Sequence, residues 1–233
     1  MADDLEARVA EREGVSTPRQ RKELAVELAR ETLQAHWRIV FNGNNYSSEW
    51  VEEAARRGLP NLRSTPDALA AVTDEKNAAL FSKMSVLSPP ELQARTEVMY
   101  EEYNKKLAVE ARTVVTMART AVLPAVFEYQ TLLGGNIASL AVAAPQAAVQ
   151  QQRQLLERIC ALSEELVAAS EALDRTVDEV EAIEDQRRAA TESERLLLPA
   201  MDRARSAADA LEELVDRKRW PLPTYHDMLF NQD

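Results

Sequence analysis

From Leu155 onward the chain keeps an apolar or small position at alternating steps of four and three: Leu155, Ile159, Leu162, Leu166, Ala169, Leu173, Thr176, Val180 and Ile183. A second series runs through Leu197, Met201, Ala204, Ala208, Leu211 and Val215, and the polar stretch Asp185 to Glu194 lies between them. Steps of this size hold one side of a helix apolar, so the spacing predicts two amphipathic helices with heptad seams. Linked by a short polar connection, they bury their stripes most economically against each other as an antiparallel hairpin. A dimeric coiled coil is the competing arrangement; the linkage, which raises the effective concentration of one seam at the other, favours the hairpin. Alanines in both series predict a close approach.

Upstream, the boundaries are set by caps and breakers. Thr17-Pro18, with Gln20 three residues after Thr17, predicts a capping box and a helix to about Trp37. Ile39-Val40-Phe41 allows no more than one strand-like step. Ser47 or Ser48 caps a second helix that stops at Gly58 ahead of Pro60. Thr65-Pro66-Asp67 opens a third, and Ser88-Pro89-Pro90-Glu91 opens a long one expected to reach Leu133 and end on Gly134-Gly135. Pro124 predicts a kink in it, or two helices meeting there. The small apolar run IASLAVAA reads as a further packed turn or helix. Five glycines and 5% aromatic residues, against abundant Ala, Leu, Glu and Arg, agree with an all-α fold.

The expected division is a helical domain over 1–144 with an Asn/Gly turn at 42–45, the hairpin over 145–219, and a docking tail over 220–233. With 45% hydrophobic and 29% charged residues, and no apolar run near the roughly 20 residues of a bilayer span, no membrane is an expected partner. The opening MADDLEARVAEREG lacks the basic and apolar regions of a secretory signal, so the expected location is the cytoplasm. A formal charge of −11 repels phosphate backbones, and nucleic acid is not an expected partner. The one basic group, Arg217-Lys218-Arg219, reads as the cationic end of a helix.

Chemistry-bearing residues are sparse. No GxxxxGK[ST] or GxGxxG segment occurs, and Gly134-Gly135 reads as a helix stop, not a phosphate cradle. His36 and His226 are the only histidines and have no metal-ligand neighbours; Cys160 lies on an apolar helix face and reads as an inert buried thiol. Carboxylates such as Glu179, Glu181, Glu184 and Asp185 fall on polar helix faces. No catalytic, cofactor-binding or metal-ligating residue is assigned.

Two aromatic segments stand out. In the first, Asn42-Gly43 is read as a left-handed turn that reverses the chain, with Phe41, Tyr46 and Trp50 pinning it against the core. In the second, Trp220-Pro221-Leu222-Pro223 breaks the preceding helix, and Trp220, Tyr225, Leu229 and Phe230 supply enough apolar surface to dock in a groove of this chain or of another subunit.

These residues also carry a resemblance. RIVFNGNNYSSEWVEEAARRGLPNLRSTPDAL, then EKNAALFSKMSVLSPPELQAR and EVMYEEYNKKLAVEARTVVTMARTAVLPAV, and finally WPLPTYHDMLF resemble, in this order, the C-terminal region of type III glutamine synthetases. The resemblance implies a ligase that makes glutamine from glutamate, ammonia and ATP with Mg2+ or Mn2+. It also implies that the family's metal-binding glutamates, ATP segment and phosphate-binding arginines lie upstream of the similar region. None of those motifs stands in this chain, so it is not expected to be active alone, nor to hold a cofactor. The implied role is structural, with the synthetase catalytic domain and other subunits of a homo-oligomer as partners and the 42–45 loop as a hinge. A substrate-gating loop is the competing reading of that segment. The competing reading of the whole chain is a self-standing helical interaction or regulatory protein that binds through its hairpin.

Overall fold

The computed structural model describes residues 2–11, 17–146, 148–223 and 225–230, and every regular element among them is helical. Two compact units form, Met1–Arg63 and Ser64–Asp233. The hairpin set apart at 145–219 by sequence therefore shares a unit with the long helix before it.

The first unit contains α1 (Ala2–Glu11), α2 (Pro18–Ala35), a 3-10 turn at Trp37–Ile39, and α3 (Ser48–Arg56). Helix α2 starts where the capping box predicts: the Thr17 N–H donates to Gln20 Oε1 at 3.0 Å and the Gln20 N–H donates to Thr17 Oγ1 at 3.3 Å. Two orphan N–H groups of the first turn are thus satisfied locally. Helix α3 ends in a Schellman motif, with the Gly58 N–H on Ala55 O and the Leu59 N–H on Ala54 O, and Gly58 takes the left-handed φ of +68°.

The second unit contains α4 (Thr65–Val72), α5 (Glu75–Lys83), α6 (Pro89–Met117), α7 (Leu123–Ala143), α8 (Gln150–Glu181), α9 (Gln186–Glu192), α10 (Leu198–Glu212) and α11 (Tyr225–Phe230). Glu91 accepts the Ser88 N–H at 2.8 Å and so holds the start of α6. At Pro124 the chain stays helical. A π turn over Ala118–Val122 widens the backbone, the Leu123 N–H bonds Ala118 O, and the carbonyl a proline ring would strike is displaced. The same device recurs before Pro199, with a π turn over Ser193–Leu197 and the Leu198 N–H on Ser193 O.

Two expected boundaries are corrected. Gly134-Gly135 does not stop the helix: α7 runs through both glycines to Ala143, and neither has a positive φ. The run of small apolar residues on either side continues the helix. The polar stretch Asp185 to Glu194 is not a connection either. Asp185 caps α9 by accepting the Arg188 N–H at 2.6 Å, and Ala189, Ala190 and Ser193 are buried.

The core is built in layers. One cluster joins Ala118, Val122 and Val126 to Ile159, Leu166 and Ala169 of α8 and to Ala204, Ala207, Leu211 and Val215. Another joins Leu107, Ala111 and Val115 to Leu173, Val177 and Val180 and to Leu197. Early α8 thus meets late α10 and late α8 meets the start of the return, which makes the pair antiparallel. Each of the buried Val, Leu and Ile side chains contributes roughly 1.5–3 kcal/mol, and each alanine less. Tyr100, buried with Leu69 and Ala190, fastens α4 and α9 to α6. Burial pushes its phenol up. Polar ties reinforce the layers: Asn104 Nδ2 donates to Gln186 O and Oε1, both at 3.0 Å, and Arg112 pairs with Asp178 at 2.9 Å and Glu181 at 2.5 Å.

Candidate functional site

The loop before α3 is held by one ring pair and one arginine. Phe41 and Trp50 stack with ring centroids 4.7 Å apart and planes tilted by 30°. Gly43 runs directly against Phe41: a Cβ there would lie 2.6 Å from Cε1 and Cζ of that ring. The glycine is therefore required by close approach and not by a left-handed turn, since its φ is not positive. The reversal expected from Asn42-Gly43 is made instead by Asn44, whose Oδ1 accepts the Tyr46 N–H at 3.0 Å and whose carbonyl accepts the Ser47 N–H and hydroxyl.

Tyr46 does not pin the loop; its side chain is 100% exposed. Asn42 is exposed as well. Sequence reasoning missed Arg57. Its Nη1 donates to Val40 O at 2.6 Å and Arg38 O at 3.2 Å, its Nε pairs with Glu53 Oε1 at 2.5 Å, and its Cζ lies 5.8 Å from the Trp50 ring centroid. The Glu53–Arg57 spacing of four was the available signal. The Arg57 hydrogen bond holds the Glu53 carboxyl below the usual carboxylate range, and the charge of Arg56 adds to it. This arrangement fastens a loop to a helix. Its one carboxylate, Glu53, is engaged by Arg57.

At the other end, Trp220 is 8% exposed and sits in the cluster with Val126, Ile159 and Leu211, with Leu222 packed beside it. The anchoring half of the tail expectation thus lies within the second unit. Pro221 and Pro223 are exposed, and in α11 Met228, Leu229 and Phe230 are 61%, 76% and 66% exposed. The side chains of Tyr225 and His226 lie outside the described residues. The basic group Arg217-Lys218-Arg219 does not close α10, which ends at Glu212. It forms a turn in which Asp216 Oδ1 accepts the Lys218 N–H at 3.1 Å, Asp216 also pairs with Arg219, and Arg217 pairs with Asp227. The Lys218 N–H, and secondarily Arg219, hold the Asp216 carboxyl low.

A cleft of about 240 Å³ opens between α6, α8 and α9, floored by Val177, Val180 and Leu197 and rimmed by Glu101, Asn104 and Lys105. Its polar rim is already engaged: Lys105 pairs with Glu101 and Asn104 bonds Gln186. Among the described residues no group of three His, Cys, Asp or Glu is placed to hold a metal ion, and no helix is long and apolar enough to cross a membrane. Cys160 is half-buried.

The sequence profile of the glutamine synthetase C-terminal domain matches residues 25–141. The chain belongs to the glutamine synthetase C-terminal domain family. The type-3 glutamine synthetase of Dictyostelium discoideum is 35% identical over 208 residues, covering 88% of this chain and 28% of that protein. A glutamine synthetase of Butyrivibrio fibrisolvens is 32% identical over 210 residues, covering 90% and 30%; one of Bacteroides fragilis (strain YCH46) is 29% identical over 218 residues, covering 90% and 29%. The chain spans less than a third of the length of these relatives. In this glutamine synthetase C-terminal domain the Phe41–Trp50–Arg57 cluster falls inside the matched segment, and Trp220 lies beyond it.

Proposed function

We propose that this chain is the helical C-terminal region of a type III glutamine synthetase and works as a scaffold, buttressing a catalytic region outside it and contributing to contacts between subunits. ATP and Mg2+ or Mn2+ belong, in this reading, to the catalytic region. The 42–45 loop is the hinge between the two regions, and the α11 apolar residues are the part of the tail offered to a neighbouring subunit. The observation that carries the reading is the lopsided coverage: nearly the whole of this chain aligns with less than a third of each relative.

The test is co-expression with the catalytic portion of a type III glutamine synthetase, followed by light scattering and a glutamine-forming assay. Co-elution of the two chains, with no glutamine made by this chain alone from glutamate, ammonia, ATP and Mg2+, is the expected result. Turnover by the isolated chain would overturn the reading, and so would failure of the two to associate.

A further inference from the structure

Helix α2 is apolar on two sides. Leu24 and Leu28 are buried, whereas Val26, Leu33 and, just beyond the helix, Trp37 and Ile39 are each more than half exposed. Val26, Leu33 and Trp37 follow one another at steps of seven and four, which keeps them on one side. With Ala29, Arg30 and Gln34 they line an open groove of about 400 Å³. A helix at the surface of a unit ordinarily turns a polar side outward. This one has the pattern of a helix that lies between two neighbours, and within the first unit only its inner side is covered.

The make-up of the groove describes the outer neighbour. Its walls are apolar apart from Gln34 and Arg30, and none of the six lining residues is acidic. Among the described residues Arg30 is exposed and has no ion-pair partner. The surface that fits is therefore an apolar ridge bearing a carboxylate. Tryptophan and arginine are also the residue types that carry most of the energy at protein contacts, where they cluster near the centre, so these six residues are the middle of a contact and not its whole extent. A second copy does not fit the description. Two-fold packing on the groove would set concave wall against concave wall and Arg30 beside its own mate.

Sequence position commits the groove to one occupant. The matched segment begins at residue 25, so the groove stands at its very start. A C-terminal domain has the rest of its protein ahead of it, and this chain spans only 28% to 30% of each relative. Within the matched segment, α2 is the helix nearest in sequence to that remainder. We propose that the groove of Val26, Leu33 and Trp37 is the docking site for the portion of a glutamine synthetase that lies outside this chain, which fills it with an apolar ridge and sets a carboxylate on Arg30. The proposal rests on the scaffold reading above and gives the buttress its surface.

The test is a calorimetric titration of the full chain with the catalytic portion of a type III glutamine synthetase, repeated with three variants. Val26→Glu places a carboxylate in the groove four residues before Arg30, where the two pair along the helix without weakening it. It should lower the affinity about tenfold or more and leave the melting temperature of the chain alone unchanged. Arg30→Gln should lower the affinity about threefold and flatten its dependence on salt. Val142→Glu, at an exposed apolar site on α7, should change nothing. Parent-like binding by Val26→Glu, or an equal loss in Val142→Glu, would overturn the proposal and leave the scaffold reading standing. A lower melting temperature of the Val26→Glu chain alone would also overturn it, because the groove would then be part of the chain's own core. So would dimers of the parent chain, seen by sedimentation, that Val26→Glu abolishes, because the occupant would then be a second copy. A parent chain that does not bind the catalytic portion at all removes both readings.

Discussion

The two units solve the problem of staying folded in different ways. Residues 1–63 carry ten basic and eleven acidic side chains, whereas residues 64–233 carry eighteen and twenty-eight, so nearly all the net charge lies on the second unit. That unit tolerates the repulsion because its interior is large: Ile159, Leu166, Leu173, Leu197, Leu211, Val126 and Val177 are all essentially inaccessible to solvent. The first unit has no comparable set. Among its described residues only Leu24, Leu28 and Ala54 are buried apolar positions, and its loop depends on one stacked ring pair, one arginine and one bare backbone position. A bulky interior makes a unit indifferent to single polar contacts, while a thin one makes each contact decisive.

That contrast can be attacked from either side. The largest effect is expected at Trp220. Trp220→Ala removes an aromatic side chain from the second unit's main cluster and should cost about 3–5 kcal/mol in urea denaturation. A loss under about 1 kcal/mol would mean that the tail contributes nothing to this core. Next comes Gly43→Ala, where the new methyl would overlap the Phe41 ring and force it off Trp50. The cost should be about 1–3 kcal/mol, confined to the first unit. Tryptophan emission should change while the bulk far-UV helical signal, which comes from the long helices, holds; a parallel loss of both would show that the units do not unfold separately.

A smaller change of opposite sign is expected at Ser85. It occupies the left-handed position after α5 with φ +53°, where the Val86 N–H bonds Phe81 O as in a glycine-terminated helix. Ser85→Gly should stabilise the second unit by about 1 kcal/mol, and a lower melting temperature would refute the strain. The smallest effect concerns pH. Glu53 in the first unit and Glu91, Glu102 and Asp216 in the second all have carboxyls held below their ordinary values by hydrogen bonds. A depressed folded value means stabilisation that is complete above the unfolded value, about 4 for these groups, and is lost as pH falls through the folded one. In a Trp37→Phe, Trp220→Phe background, Trp50 emission should therefore shift with acid before helicity falls, because protonated Glu53 releases Arg57. Coincident transitions would contradict this.

Local rules that rest on neighbouring backbone were legible in the sequence. Thr17 with Gln20, Ser88 with Glu91, and Gly58 ahead of Pro60 each fixed a helix end by chemistry contained within a few residues. The antiparallel hairpin was legible too, because its stripes repeat over many turns. What misled were residues whose meaning depends on something further away. Gly134-Gly135 looks like a stop only if the helix has no reason to continue, and Asp185 to Glu194 looks like a linker only if its alanines have nothing to face. Gly43 and Arg57 act through an aromatic ring and two carbonyls brought near by the fold, and no spacing rule announces such a meeting. The family resemblance was carried by the combination of four segments in order, 38–69, 75–95, 97–126 and 220–230.

The widened turns before Pro124 and Pro199 have a consequence for how the bundle is organised. Each holds one residue more than an ordinary turn, so the side chains beyond it are rotated by about 100° relative to an uninterrupted helix. Both fall where the cluster around Val115, Leu173 and Leu197 gives way to the one around Val126, Ile159 and Leu211. The bundle thereby gains a waist at which its two storeys are indexed separately, so that changes of side-chain volume in one need not propagate into the other.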